Sequence, residues 1–393
     1  MPEPEPGSEF GFGSGSGQTI AATAQALRHA HPITAGAGWD FGGFKVWVQS
    51  NDAALIEVLE RYFAGFRCLP APPAPDATLI TALQHGATLD LGRGHEMTPG
   101  PYKASVNGPK EAYVDLVDGR LAHKLRTGMW FLFGGDLHLA VGPCRDNPNQ
   151  VINFINNRMI QRTLHRGALL GHASAVVHQA GRDPEAPRAA VAIAGFSGMG
   201  KSTLALHLLN DRRLDFLSND RVMLEAPTRD SGDDSGDGPG IWGVPKHPRI
   251  NPGTILHNPA LAPLLDPDQR AQFEALDPAQ LWALEHKFDG LISTCFPAQR
   301  FLLRARLCGL VILDWTRGGG PCRAQRVDLR TRTQLLPALM KAPGSFYQPG
   351  PRELPSRDAT RYLEFLDGVP VVELSGGVDF DRGRSAALAL LDL

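Results

Sequence analysis

The sequence has no Cys-x-x-Cys pair, no long apolar run, and no large excess of charge of either sign. Its five cysteines, Cys68, Cys144, Cys295, Cys308 and Cys322, are widely scattered. An odd count without framework spacing argues against a secreted disulfide scaffold and a structural zinc site, and fits reduced thiols in the cytoplasm. No stretch approaches the roughly 18 consecutive apolar residues that suggest a bilayer span. The formal charge of −2 gives no general attraction to nucleic acid or to an anionic membrane, so neither is expected as a partner. The N-terminal segment MPEPEPGSEFGFGSGSG has neither the basic nor the apolar region of a secretory signal. Met1–Gly17 reads as a disordered tail or tag.

What is present is ordinary globular material: 42% hydrophobic and 20% charged residues in 393, enough for two or three cores. Residues 18–166 read as an N-terminal α/β domain. Phe44–Val48 alternates as a strand, and Asn51 or Asp52 caps a helix reaching about Phe66. Cys68–Ala77 is proline-rich and reads as a loop. Ala112–Leu116, Gly119–Leu125 and Trp130–Val141 are strand-like, with turns at Asp118-Gly119 and Gly134-Gly135. Pro148–Leu164 has helical spacing of Ile152, Ile155, Met159 and Ile160.

Residues 167–393 change character. Ala173–His178 and Ala189–Ala194 read as strands joined by the turn GRDPEAPR. A helix through about Leu209 follows the glycine-rich segment, and SNDRVMLE reads as strand, polar pair, strand. Thr228–Gly240 is an acidic, glycine-rich loop. Leu302–Leu313 and Val369–Leu374 read as strands, and Thr331–Met340 and Ala359–Leu366 as helices. Glu285, His286, Lys287 and Asp289 are expected to close a helix.

Gly195-Phe196-Ser197-Gly198-Met199-Gly200-Lys201-Ser202 fits G-x-x-x-x-G-K-[ST] at every fixed position. The glycines let successive N–H groups face one anion, and the helix behind them adds its positive end. Lys201 supplies a point charge for the β- and γ-phosphates, while the Ser202 hydroxyl suits Mg²⁺. The apolar strand before the loop and the run Thr203–Leu209 after it give the context such a cradle needs. The segment Gly195–Thr203 is therefore expected to bind ATP. It does not define the reaction.

Gly171-His172-Ala173-Ser174 precedes a hairpin running into GFSGMGKST, and FLSNDRV (Phe216–Val222) comes after it. This order resembles bacterial HPr kinase/phosphorylase, closest to its kinase B group, over about Gly171–Leu224; GVPKHPRINPGTI (Gly243–Ile255) fits the same group. The resemblance implies a P-loop kinase domain of the HPr kinase/phosphoenolpyruvate carboxykinase type, with a C-terminal α/β extension and the additional N-terminal α/β domain. It matches His172 to the histidine near the reacting phosphate, Lys201 and Ser202 to the phosphate and metal residues, and Asp220 to the second aspartate of an Asp-Asp pair. The first aspartate, the family's base, is replaced by Asn219, and an amide cannot take that proton. The resemblance also implies a homo-oligomer.

Two further groups stand out. Leu310–Asp314 has the apolar-run-plus-carboxylate pattern of a Walker B strand, but the resemblance favours Asp220 over Asp314 for the metal. Lys246, His247 and Arg249 occupy a proline-rich segment where cations can clamp a substrate. The expected function is transfer of the γ-phosphate of ATP, with Mg²⁺ on Ser202 and Asp220, to a hydroxyl on a protein serine or small molecule. The alternatives are a nucleotide-binding regulator that has lost transfer and an ATPase or GTPase relying on Asp314.

Overall fold

A computed structural model describes residues 18–101, 108–179, 188–226, 238–284, 286–350 and 358–393. The tail Met1–Gly17, most of the turn GRDPEAPR, Glu285 and the loop 228–237 lie outside the described residues. The chain is mixed α/β, with two large mixed sheets.

The first sheet comprises β1 (Ala35–Asp40), β2 (Lys45–Ser50), β3 (Arg67–Leu69), β4 (Thr78–Gln84), β5 (Thr98–Pro99), β6 (Glu111–Leu116), β7 (Gly119–Lys124), β8 (Met129–Gly134) and β9 (Leu137–Gly142). Its order is β3-β1-β2-β4-β9-β8-β7-β6-β5, parallel only where β4 meets β2 and β9. The two expected hairpin turns form one residue away from the positions expected, at Val117-Asp118 and Gly135-Asp136. Helix α1 (Ile20–Ala30) is held at its start by the Asp118 carboxylate, which accepts from the N–H groups of Ile20 and Ala21 at 2.9 Å. Helix α2 (Ala53–Tyr62) is capped by Asp52 and ends four residues before Phe66. Helix α3 (Pro148–Leu164) has its expected bounds.

The second half contains β10 (Leu169–Gly171), β11 (Ala173–His178), β12 (Ala189–Gly195), α4 (Lys201–Leu208), β13 (Leu214–Ser218), β14 (Val222–Glu225) and β15 (Gly240–Trp242). A small region follows: β16 (Arg249–Ile250), α5 (Pro252–Leu256), α6 (Pro267–Glu274), α7 (Pro278–Ala283), β17 (Phe288–Asp289) and α8 (Ile292–Cys295). Last come β18 (Arg304–Trp315), β19 (Arg323–Val327), α9 (Ala359–Phe365), β20 (Val371–Gly376) and α10 (Phe380–Ala389). The segment after Lys287 forms the strand β17, not a helix end. Between Thr331 and Met340 only a 3₁₀ turn, Thr333–Ala338, forms, with Pro337 inside it; a proline there removes a donor and crowds the turn before it.

The second sheet runs β10-β14-β15-β18-β12-β11-β13, with β20 on the C-terminal half of β18 and β19 outside it. One face is packed by α4 and α10 through Leu204, Leu208, Val191, Ile193, Val311 and Leu313. The other carries Ala192, Ala194, Ile312, Leu336 and Tyr362. The continuous apolar runs of β12 and β18, with successive residues turned to opposite faces, are what strands buried on both faces require. A third cluster crosses between the two sheets: Phe131, Phe133, Phe154 and Ile155 pack with Leu170, Met223, Trp242 and Phe346.

Candidate functional site

Strand register assembles the site. β11 and β12 are antiparallel with Ala173 opposite Ala194, and β11 and β13 are antiparallel with Ala175 opposite Ser218. The start of β11, the end of β12 and the end of β13 therefore meet at one sheet edge. That places His172, Ser174, the glycine-rich loop, Asn219 and Asp220 together.

The loop between β12 and α4 turns at Gly198 (φ +86°) and Gly200 (φ +87°), conformations that side chains rarely adopt. A Cβ on Gly200 would also lie 3.1 Å from the Phe380 ring at the start of α10. Trp315 at the end of β18 donates from its indole nitrogen to the Met199 carbonyl at 2.8 Å. Phe380 packs edge-on to Trp315. The loop thus rests on an aromatic floor supplied by the last third of the chain.

Lys201 is buried, and its ammonium donates to the carbonyls of Gly195 at 2.8 Å and Phe196 at 3.1 Å. Burial pushes the ammonium down to about 8 against the opposing pull of Asp220. The Ser202 hydroxyl donates to Asn219 Oδ1 at 2.5 Å, and Ser174 donates to the same oxygen at 3.1 Å. Thr203 shares a hydroxyl–hydroxyl bond with Thr254 at 2.9 Å and so faces α5.

Asp220 sits in the left-handed region (φ +67°), a strain of roughly 1–2 kcal/mol that aspartate tolerates better than most residues. Its Oδ1 lies 3.2 Å from His172 Nε2; its Oδ2 lies 3.1 Å from Lys341 Nζ and 3.8 Å from Arg221 Nε. Enclosure by protein works to raise this carboxyl, but His172, Lys341 and Arg221 together hold it far below the usual carboxylate range. The contact with Asp220 works to raise His172, yet burial and the charges of Lys201 and Lys341 outweigh it, so the imidazole titrates below its ordinary value. It is neutral at pH 7.

Asp220 is thus turned to three cationic or donor groups, while Ser202 is turned to Asn219. A hydroxyl and an amide oxygen side by side are hard donors that suit Mg²⁺, which keeps several waters and takes phosphate oxygens.

The Lys246 ammonium reaches Asn153 Oδ1 on α3 at 2.7 Å, and burial pushes it down to about 8. His247 belongs elsewhere. Its Nδ1 accepts from the Ile292 N–H at 3.2 Å, and its Nε2 lies 3.0 Å from the Tyr62 carbonyl. Both ring nitrogens are used in packing, which corrects its assignment as a substrate clamp. Arg249 is exposed and pairs with Asp289 at 3.3 Å across β16 and β17. Asp314 is exposed one residue beyond Leu313, the partner of Gly195. It alternates with Leu313 and Trp315, which face α4, and so shares the opposite face with Ile312.

Lys341, Arg221, Ser174, Asn153 and Asn157 escaped the sequence reading. Lys341 is delivered by a short bridge in which Gly171 pairs with Met340 and the His172 N–H donates to the Leu339 carbonyl. A cavity of about 470 Å³ between Arg326–Arg330 and Leu363–Val371 shares no residue with this edge. Among the described residues no helix is long and apolar enough to cross a membrane.

Neither a scan against protein-family models nor a search of curated proteins returns a match.

Proposed function

We propose that this protein is a phosphotransferase that binds ATP at Gly195–Thr203 and passes its γ-phosphate to a hydroxyl acceptor. The observation that carries the reading is the meeting, at one sheet edge, of the glycine-rich loop with a His172–Asp220 pair and the ammonium groups of Lys201 and Lys341. The resemblance to the HPr kinase type, with its P-loop kinase domain, an added N-terminal α/β domain and a cytoplasmic setting, points the same way.

In this reading the loop N–H groups and the start of α4 cradle the phosphates, and Lys201 leaves the loop carbonyls for the γ-phosphate. Ser202 and Asn219 would hold Mg²⁺, whose charge offsets that of the phosphates during transfer. The acceptor oxygen bonds to the γ-phosphorus as the bond to the β,γ-bridging oxygen breaks, releasing ADP. Asn219 cannot accept the acceptor's proton, and Asp220 alone is too weak a base. His172 supplies the function instead: with Nε2–H held by Asp220, its Nδ1 takes the proton and the carboxylate stabilises the imidazolium. Phosphoryl transfer depends chiefly on position and charge, so a modest base suffices.

The test is nucleotide titration and γ-phosphate release or transfer in four proteins. Lys201→Met should weaken ATP binding by about ten-fold or more, the scale of a lost charge-assisted bond, while thermal unfolding stays as in wild type. Asp220→Asn should abolish turnover with ATP binding retained, and Asp314→Asn should change neither. Unaltered ATP binding by Lys201→Met overturns the site. Loss of turnover in Asp314→Asn but not in Asp220→Asn would establish the hydrolytic alternative.

A further inference from the structure

Beside the nucleotide loop lies a group of cations held by neutral partners. Helix α3 presents Asn153 and Asn157 one turn apart. Asn153 Oδ1 accepts from Lys246 at 2.7 Å, and Asn157 Oδ1 accepts from Arg221 Nη1 at 3.1 Å. An amide oxygen fixes a cation in place without cancelling its charge, which a carboxylate would do. Among the described residues the Lys246 ammonium has no carboxylate within ion-pair distance, and Arg221 has only Asp220, at 3.8 Å.

The charges form one group. Lys201, Lys246 and Lys341 are each influenced by Asp220, and Lys246 and Lys341 also by Arg221. Lys246 also feels Arg249 and Asp289, so five cations share two carboxylates, in a chain whose overall charge is −2. With a triphosphate and Mg²⁺ in the loop, Lys201 is engaged. Arg221, Lys246, Lys341 and Arg249 then outnumber Asp220 and Asp289, and an excess of partly enclosed charge of one sign is unfavourable unless a counter-charge arrives. All four residues of the α3 contact, Asn153, Asn157, Arg221 and Lys246, are only partly exposed. Their partial enclosure suits a small anionic group more than a broad protein surface.

We infer that Arg221 and Lys246, held by Asn153 and Asn157, form the acceptor subsite, and that the acceptor is a small hydroxy compound carrying a phosphate or carboxylate group. This rests on the phosphotransferase reading and narrows its substrate class. The acceptor's anion docks on the two cations, which leaves its hydroxyl to reach the γ-phosphate beside His172 and Asp220.

The first measurement uses inorganic phosphate as the probe, titrated calorimetrically into protein saturated with a non-hydrolysable ATP analogue and Mg²⁺, so that the loop is already filled. Phosphate should bind. Lys246→Met and Asn153→Asp should each lower its affinity by about ten-fold or more, Asn153→Asp by giving the lysine a carboxylate of its own. Both variants should keep the analogue's Kd within about two-fold of wild type, since neither residue contacts the loop. Absence of phosphate binding to the loaded wild type, or wild-type phosphate affinity in Asn153→Asp, overturns the subsite. If the analogue itself fails to bind, the phosphotransferase reading falls, and phosphate titration of the nucleotide-free wild type and Lys246→Met proteins still decides whether the anion site exists. The second measurement offers [γ-³²P]ATP with an extract separated beforehand into anionic small molecules, neutral small molecules and protein. Label entering the anionic fraction supports the inference, and label entering either of the others overturns it. Label entering none counts against transfer, leaving the phosphate titration to judge the subsite.

Discussion

At the scale of single residues, Asn219 is pivotal, and its surroundings show what its amide oxygen does. Its Oδ1 receives two hydroxyl donors, from Ser174 and Ser202, and so does structural work that an aspartate would do equally well. Asn219→Asp should keep both bonds and add a charge beside the proposed metal oxygens. The expected outcome is a lower Mg²⁺ concentration for half-maximal activity, by about ten-fold, with the fold unchanged; an unshifted Mg²⁺ titration would remove Asn219 from the metal environment. The glycine-rich loop is legible in the sequence as a spaced motif, whereas His172 and the Asn219-Asp220 pair stand out only through the resemblance; strand register brings all three together. Lys341 is not legible. It reaches Asp220 across 121 residues of chain, and nothing local in KAPGSF announces that. His247 misled for the opposite reason: its neighbours Lys246 and Arg249 are charged, but the ring turns inward between α2 and α8.

Among the elements, those with strong periodicity were readable and those shaped by partners were not. Helix α3 matches its expected bounds, since its apolar spacing is sustained over 17 residues. Strand β1, AGAGWD, carries too little side chain to announce itself. Its glycines make room: a Cβ on Gly38 would lie 2.6 Å from the Trp47 ring on β2. Helix α10 was likewise missed, though it braces the glycine-rich loop. It is tied to the chain just after α4 by Asp211, whose carboxylate lies 2.7 Å from Arg213 and 3.1 Å from Arg384. The Arg213 bond, stronger than the opposing effect of burial and aided by Arg384, lowers the Asp211 carboxyl to about 2. Because the folded form binds this proton less readily than the unfolded chain, its stabilisation is complete above about pH 4 and disappears as pH falls toward 2. Both arginines are largely exposed, so screening leaves roughly 1 kcal/mol. Asp211→Asn should therefore lower Tm at pH 7, and the gap from wild type should narrow by about half as the pH is taken to 3 and close toward pH 2. A gap that stays constant with pH would deny the ion pair its role.

Across the whole molecule, the segment Leu339–Gln348 joins the site to the first sheet. At one end Lys341 meets Asp220; at the other, Arg120 donates to the carbonyls of Ser345 at 2.9 Å and Tyr347 at 3.1 Å, and Arg158 donates to that of Phe346. The Phe346 ring lies 5.0 Å from Phe131 and 5.8 Å from Phe133. Composition alone indicates two α/β halves but cannot indicate this crossing, because Phe346 finds its partners more than 200 residues away in sequence. Phe346→Ala should destabilise the protein by about 3–5 kcal/mol and shift one calorimetric transition as a whole; two transitions, only one of them displaced, would show that the sheets melt separately. The same strap bears on any attempt to study in isolation the half that carries the glycine-rich loop. A fragment starting near residue 167 would keep every motif residue, yet its strap would dangle with an orphaned aromatic ring, and Lys341 would lose its anchorage. Such a truncation would be sticky and would fail in an activity assay for reasons unrelated to chemistry, so the proposed transfer is to be sought in a chain that keeps both sheets.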